Sequence, residues 1–343
     1  MTDTRPTRLP GTWAPPSGRR GNFDYRSIVS SFEVDVRDAY VDRTYFGLPL
    51  LGAYWWSNLG DADGNTLAPM RKSTSEMSSG LQLQTNLNGD ALEIDHAAFL
   101  RSQRGVGVRW GWADEGTLTV TADGSPLNEP VDFRFDGRTL HWSEGELMDI
   151  SGTFLGAYQW YTPGLDDGGG NYYASMVYEG TGQVLGREVR GIVAFDQLYG
   201  PQGQVFQTSP MFNAIELGWV TFANGYADGE YEVGACCLGA AHWGFAAIAD
   251  QDGDLEHVTD IEATIELDDE AYIQVATYHL PSGDWRFDAR PRSRMLSLAA
   301  ARNDQYHGQG GVVRRVGDER EPTWSRAWIE SFPLNGTDRT GRW

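Results

Sequence analysis

Asp196 has the setting best suited to chemistry in this chain. It follows Ile192, Val193, Ala194 and Phe195, and Tyr199 and Gly200 come soon after. A carboxyl at the apolar end of a strand loses its water, and desolvation favours the neutral, proton-donating form. Glu188 and Arg190 share the parity of Asp196 along the segment. They either join it in an internal charge network or pair at the surface. Aromatic residues crowd the same regions. Trp55 and Trp56 follow an apolar run, and Trp160 and Tyr161 precede a turn at Pro163-Gly164. Tyr172, Tyr173 and Tyr178 lead into the Asp196 segment; Trp219, His242 and Trp243 come after it. Such rings either line a ligand pocket or pack a core, and His242 is either a site residue or a satisfied structural histidine.

Strands must position these residues. Ser31–Val36, Gly116–Ala122, Val131–Gly137, Glu262–Leu267 and Tyr272–Tyr278 alternate with period two. Asp-Gly or Asn-Gly pairs begin at positions 63, 88, 123, 136, 228 and 252, and each reads as a hairpin turn. With 42 glycines, 13 Trp, 15 Tyr and 14 Phe, the chain reads as a turn-rich antiparallel protein. The best helix candidate is 292–303, where Met295, Leu296 and Leu298 give a short apolar face. A Gln-, Gly- and Pro-rich stretch from Pro201 to Pro210 suggests a division. The expected organisation is a mobile tail over 1–22, one domain over 23–204 and another over 205–343.

Composition removes several function classes. Lys plus Arg is 27 and Asp plus Glu is 48, a net charge of −21. That field repels phosphate backbones and anionic membrane surfaces, so neither nucleic-acid binding nor membrane insertion is expected. No run reaches the roughly 18 apolar residues of a membrane helix, and the expected setting is soluble and cytoplasmic. Lys72 is the only lysine, so a Schiff base elsewhere is excluded. Cys236 and Cys237 are adjacent, which disfavours a disulfide and a cysteine-based zinc site and suits two buried thiols.

The order Asp196, Tyr199, Gly200, then a Trp219 strand and an Asp228-Gly229 loop, resembles the AttH-like and carotenoid hydratase group. That group is related to the fungal calycin-type Diels–Alderases. The usual form of its motif is Asp-His-Ser-Trp-Gly. Here Gln197 replaces the His, Leu198 the Ser and Tyr199 the Trp. The resemblance covers the order of elements over most of the chain. It implies an all-β fold of two tandem lipocalin-like antiparallel β-barrels with few short helices. It also implies acid chemistry on an apolar, unsaturated, terpenoid- or polyketide-like molecule, by a lyase, hydratase, isomerase or cyclase. Such a reaction needs a carboxylic acid and aromatic faces that stabilise a carbocation, with no metal and no cofactor. On this reading Asp196 is the acid, with Tyr199 and Glu188 beside it. Trp160, Tyr161, Trp219, Trp243, His242, Trp55 and Trp56 shape the pocket.

Two other classes stay open. A non-catalytic carrier of a hydrophobic ligand uses the same kind of cavity. A glycan-active β-sandwich enzyme would use the many Trp residues and a carboxylate pair. An acid buried deep in the pocket favours the enzyme over the carrier, because burial is costly and a carrier gains nothing from it. No Gly-x-Ser-x-Gly elbow, phosphate loop or zinc-type His pair occurs in the sequence. The segment Asp250 to Glu256 only faintly resembles a calcium loop and is expected to be a solvated hairpin tip.

Overall fold

A computed structural model describes Thr7–Arg8 and residues 28–165, 169–203, 216–239, 244–259, 261–296 and 306–332. These residues are almost all β, in antiparallel ladders, and form two curled sheets of the lipocalin-like kind. Among them no helix is long and apolar enough to cross a membrane. The chain divides into two compact units. The N-terminal unit is Phe32–Gln159 with Asn171–Gly203; the C-terminal unit is Gln204–Trp343 with Met1–Ser31 and Trp160–Gly170.

In the N-terminal unit, the strands Leu48–Gly60, Gly169–Val184 and Arg187–Tyr199 form the wall that matters for function. Arg187–Tyr199 lies between the other two, with Asp196 opposite Ser175 on one side and Tyr54 on the other. Successive side chains of a strand point to opposite faces. One face holds Trp55, Phe133, Phe195, Trp142, Phe135 and Tyr178 in the core. Trp55 stacks on Phe133 at 4.4 Å, and Phe195 meets Phe133 and Phe135 edge-on at 5.2 Å. Burial of each large apolar side chain stabilises this interior by on the order of 1.5–3 kcal/mol.

The C-terminal unit runs as a meander in which Glu216–Gly225 is flanked by Tyr231–Gly239 and Trp324–Ser331. Its core gathers Val220, Phe222, Cys236, Tyr278, Trp285 and Phe287. Thr7–Arg8, inside the segment expected to be a mobile tail, pairs with Leu267 and Glu266.

Four of the five alternating segments form strands where the periodicity puts them, within a few residues. The segment Ser31–Val36 does not. Its strand is Ile28–Ser31, and Val36–Ala39 is a short 3-10 turn. The cause is Asp35, whose carboxylate accepts the Arg37 N–H at 3.0 Å and so caps the turn instead of leaving the backbone to a ladder. Val36 and Ala39 then enter the core. The expected helix at 292–303 also begins as strand. Gly283–Arg294 reaches Arg294, which pairs with Gln309, and the Met295 N–H donates to the Gly308 carbonyl at 2.9 Å. Residues 297–305 lie outside the described residues. The acidic segment at 250–256 is a hairpin tip, with Asp250 accepting the Asp252 and Gly253 N–H groups. Cys236 and Cys237 are free and buried.

Candidate functional site

Asp196 is 4% exposed, yet it lies on the face of its strand opposite Phe195 and the core of the N-terminal unit. Three donors meet it. Ser175, its register partner, donates from Oγ to Oδ1 at 2.6 Å. Tyr173, two residues along the same strand face, donates from its hydroxyl to Oδ2 at 2.6 Å. From the neighbouring strand Trp56 donates Nε1–H to Oδ2. Strand alternation brings these residues together: Trp56 is two positions from Tyr54, the partner of Asp196. Three such hydrogen bonds fix a carboxyl in one orientation.

Alternation also separates residues that the sequence places side by side. Tyr199 is fully buried on the opposite face, in contact with Tyr45 at 4.9 Å and Tyr172 at 5.5 Å. Tyr172 donates to Gln159 Oε1 at 2.6 Å. Burial pushes the Tyr199 phenol far above its usual range, and burial lifts Tyr45 to about 12. Gln197 donates to the Ala39 carbonyl at 2.8 Å. Glu188 is exposed and accepts from Gln183 at 2.6 Å. Eight residues of strand separate it from Asp196, roughly 26 Å. Arg190 pairs instead with Glu179 at 2.7 Å. Trp55 is a core residue, whereas Trp56 touches Asp196. The structure thus gathers Asp196 and Trp56 and leaves Tyr199, Glu188 and Trp55 elsewhere. His242 and Trp243 lie outside the described residues.

A second constellation stands in the C-terminal unit. Trp219 pairs in register with Cys237 and with Glu330, and Cys237 pairs with Phe245. These residues share the sheet face opposite the Val220, Phe222 and Cys236 core. Trp160 joins them, 5.7 Å from Trp219 and 6.0 Å from Phe245, while Trp219 meets Phe245 edge-on at 5.4 Å. Tyr161, next along the chain, is half-buried. A register shift between Glu216 and Gly218 turns Leu217 into the core and Glu216 towards the Trp219 face.

Glu216 is 1% exposed. Burial raises its carboxyl well above the usual carboxylate range, and the nearby Glu330 charge adds to the effect. The Cys237 thiol is pushed up by burial first and then by Glu216. A carboxylic acid that burial keeps protonated, on the same sheet face as aromatic rings, can deliver a proton where ring faces stabilise positive charge. The sequence reading passed over Glu216, Tyr173 and Ser175 as site residues. The available signal was Glu216 at the head of Leu217-Gly218-Trp219-Val220, a carboxyl at the end of an apolar strand just as Asp196 is.

No family model matches the sequence, and no curated protein matches it. Among solved structures the chain is similar to a protein assigned as AttH from Nitrosomonas europaea, at 14% identity and a TM-score of 0.44, over 84% of this chain and 94% of that one. It is also similar to kievitone hydratase from Nectria haematococca, at 12% identity and a TM-score of 0.39, over 81% and 88%.

Proposed function

We propose that the protein is an acid-catalysed hydratase-type enzyme for apolar, unsaturated small molecules, with Glu216 as proton donor. The observation that carries this reading is a fully buried carboxyl set on the same sheet face as Trp219 and Phe245. A carrier for a neutral lipid gains nothing from burying such a group, whereas an acid catalyst needs one that is neutral near pH 7.

The chemistry balances without a further reagent. The Glu216 proton adds to the less substituted carbon of a trisubstituted alkene, leaving a tertiary carbocation and a carboxylate. Water adds its oxygen to the cation. The proton that this water then loses returns to Glu216 and restores the acid. Trp160, Trp219 and Phe245 offer the ring faces that stabilise the cation. Asp196, held by Tyr173, Ser175 and Trp56, is the alternative acid of the same proposal.

Incubation with ortho-prenylphenol or squalene in oxygen-18 water tests the reading. The expected product carries one labelled hydroxyl. Glu216→Gln should lower its formation by roughly 10²- to 10⁴-fold, the usual contribution of a positioned acid, with folding unchanged by circular dichroism. Loss of labelling in Asp196→Asn together with full activity in Glu216→Gln transfers the role to Asp196. Binding of both probes without labelling by the native protein leaves only the carrier.

A further inference from the structure

The N-terminal unit carries a groove of about 920 Å³ that none of this chemistry uses. Arg37, Tyr40, Asp42 and Arg43 line it from the segment around the 3-10 turn. Trp112, Asp114 and Glu115 line it from the end of the strand Arg109–Asp114 and the turn that follows. Two properties make this a site rather than a fold in the surface.

The first is a preorganised ring platform. Tyr40 and Trp112 stack with centroids 5.5 Å apart and planes 18° from parallel, and Trp110 meets Tyr40 edge-on at 6.4 Å. Trp110 is itself anchored by a hydrogen bond to Ser73 Oγ at 3.3 Å. Trp112 nonetheless stays 41% exposed. A tryptophan whose orientation is already fixed offers apolar area to a ligand at little entropic cost.

The second is a rim of both charge signs, three of whose members are themselves held. Arg37 donates Nε and Nη2 to Asp35 at 2.9 and 2.5 Å, leaving Nη1 without a partner among the described residues. This pairing holds Asp35 down at about 2. Arg43 donates Nε to the Arg37 carbonyl at 3.2 Å and stands 3.5 Å from Asp38. Asp114 accepts the Gly116 N–H at 2.8 Å. Oriented donors and acceptors therefore surround an aromatic floor.

We propose that this groove binds a neutral saccharide. The indole face matches the C–H face of a pyranose ring, and sugar hydroxyls both donate and accept, so they satisfy guanidinium and carboxylate together. An anion would meet Asp42, Asp114 and Glu115, and a cation would meet Arg37 and Arg43. A wholly apolar ligand would strip water from the rim and return nothing. The net charge of −21 turns acidic polysaccharides away.

Native gels cast with glycogen, xyloglucan or mixed-linkage β-glucan read the binding directly on the full chain. Retardation by at least one of them is expected, weakened at least tenfold in Trp112→Ala and largely kept in Trp112→Tyr. The melting temperature of each variant separates lost binding from lost folding. Three outcomes overturn the proposal: no retardation by any of the three, equal retardation of native protein and Trp112→Ala, or retardation by heparin alone that salt abolishes. Alkene labelling by Trp112→Ala should match the native protein, so this proposal and the hydratase reading fail separately.

Discussion

Glu216 costs the fold stability at neutral pH, and that cost can be measured. Its carboxyl titrates well above the unfolded value near 4.5, because burial penalises the charge. The native state therefore holds a proton that the unfolded chain gives up. Stability is full below pH 4.5 and drains away as pH rises towards the folded value. Glu216→Gln removes this slope. The variant should match the native protein near pH 4 and exceed it at pH 8 by on the order of 1–3 kcal/mol, the desolvation scale of a buried polar group. Urea midpoints at the two pH values decide it, and an unchanged midpoint at pH 8 would mean that Glu216 reaches water. A residue that lowers stability where the protein works is better explained by function than by packing. The burial of Asp196 was legible in the sequence, because it ends an apolar run. Its partners were not. Tyr173 and Ser175 meet it only through a strand register, and register is a long-range property that periodicity does not carry.

At the scale of elements, alternation explains both what the sequence revealed and what it hid. Period-two patterns located four of the strands, and Asp-Gly or Asn-Gly pairs fall at several of the turns. The same period also decides that Asp196 and Tyr199, three residues apart, face opposite sides. Their closeness along the chain suggested one site, whereas the structure sets Tyr199 in a tyrosine cluster. One buried pair ties two elements of the N-terminal unit together. Arg71, on Thr66–Thr74, donates Nε and Nη2 to Glu144 at 2.7 and 2.5 Å, just beyond Thr139–Ser143. Both side chains are fully buried. Arg71 also reaches Ser78 Oγ at 2.9 Å and the Gln103 carbonyl at 2.8 Å, and Trp142 donates to Glu144 at 3.1 Å. Removing one partner strands a buried charge, so Glu144→Leu should cost about 3–5 kcal/mol in urea unfolding. The double variant Arg71→Met with Glu144→Leu should recover most of that loss, since an apolar pair of similar volume needs no water. A double variant no better than the single one would mean that the hydrogen bonds to Ser78 and Gln103, rather than the ion pair, hold these elements.

The whole molecule is not a simple succession of two stretches of chain. The C-terminal unit draws on Met1–Ser31 and Trp160–Gly170 as well as on Gln204–Trp343. Each borrowed segment supplies a specific interaction. Thr7–Arg8 pairs at the Leu267 edge, Ser31 donates to Asp254 at 2.7 Å, and Trp160 packs 5.7 Å from Trp219. Nothing in composition marks such borrowing, because Trp160 belongs to the continuous strand Met148–Leu165. Loss of a buried Trp side chain costs about 3–5 kcal/mol, against a total stability of about 5–15 kcal/mol for a domain. A fragment of residues 205–343 should therefore melt broadly, at least 10 °C below the full chain, when followed by tryptophan fluorescence. Trp160→Ala in the full chain isolates one part of that loss and should lower the transition that reports on Trp219. A fragment that melts cooperatively at the temperature of the full chain would show that the unit closes its own core, and that Trp160 serves the Trp219 face for chemistry alone.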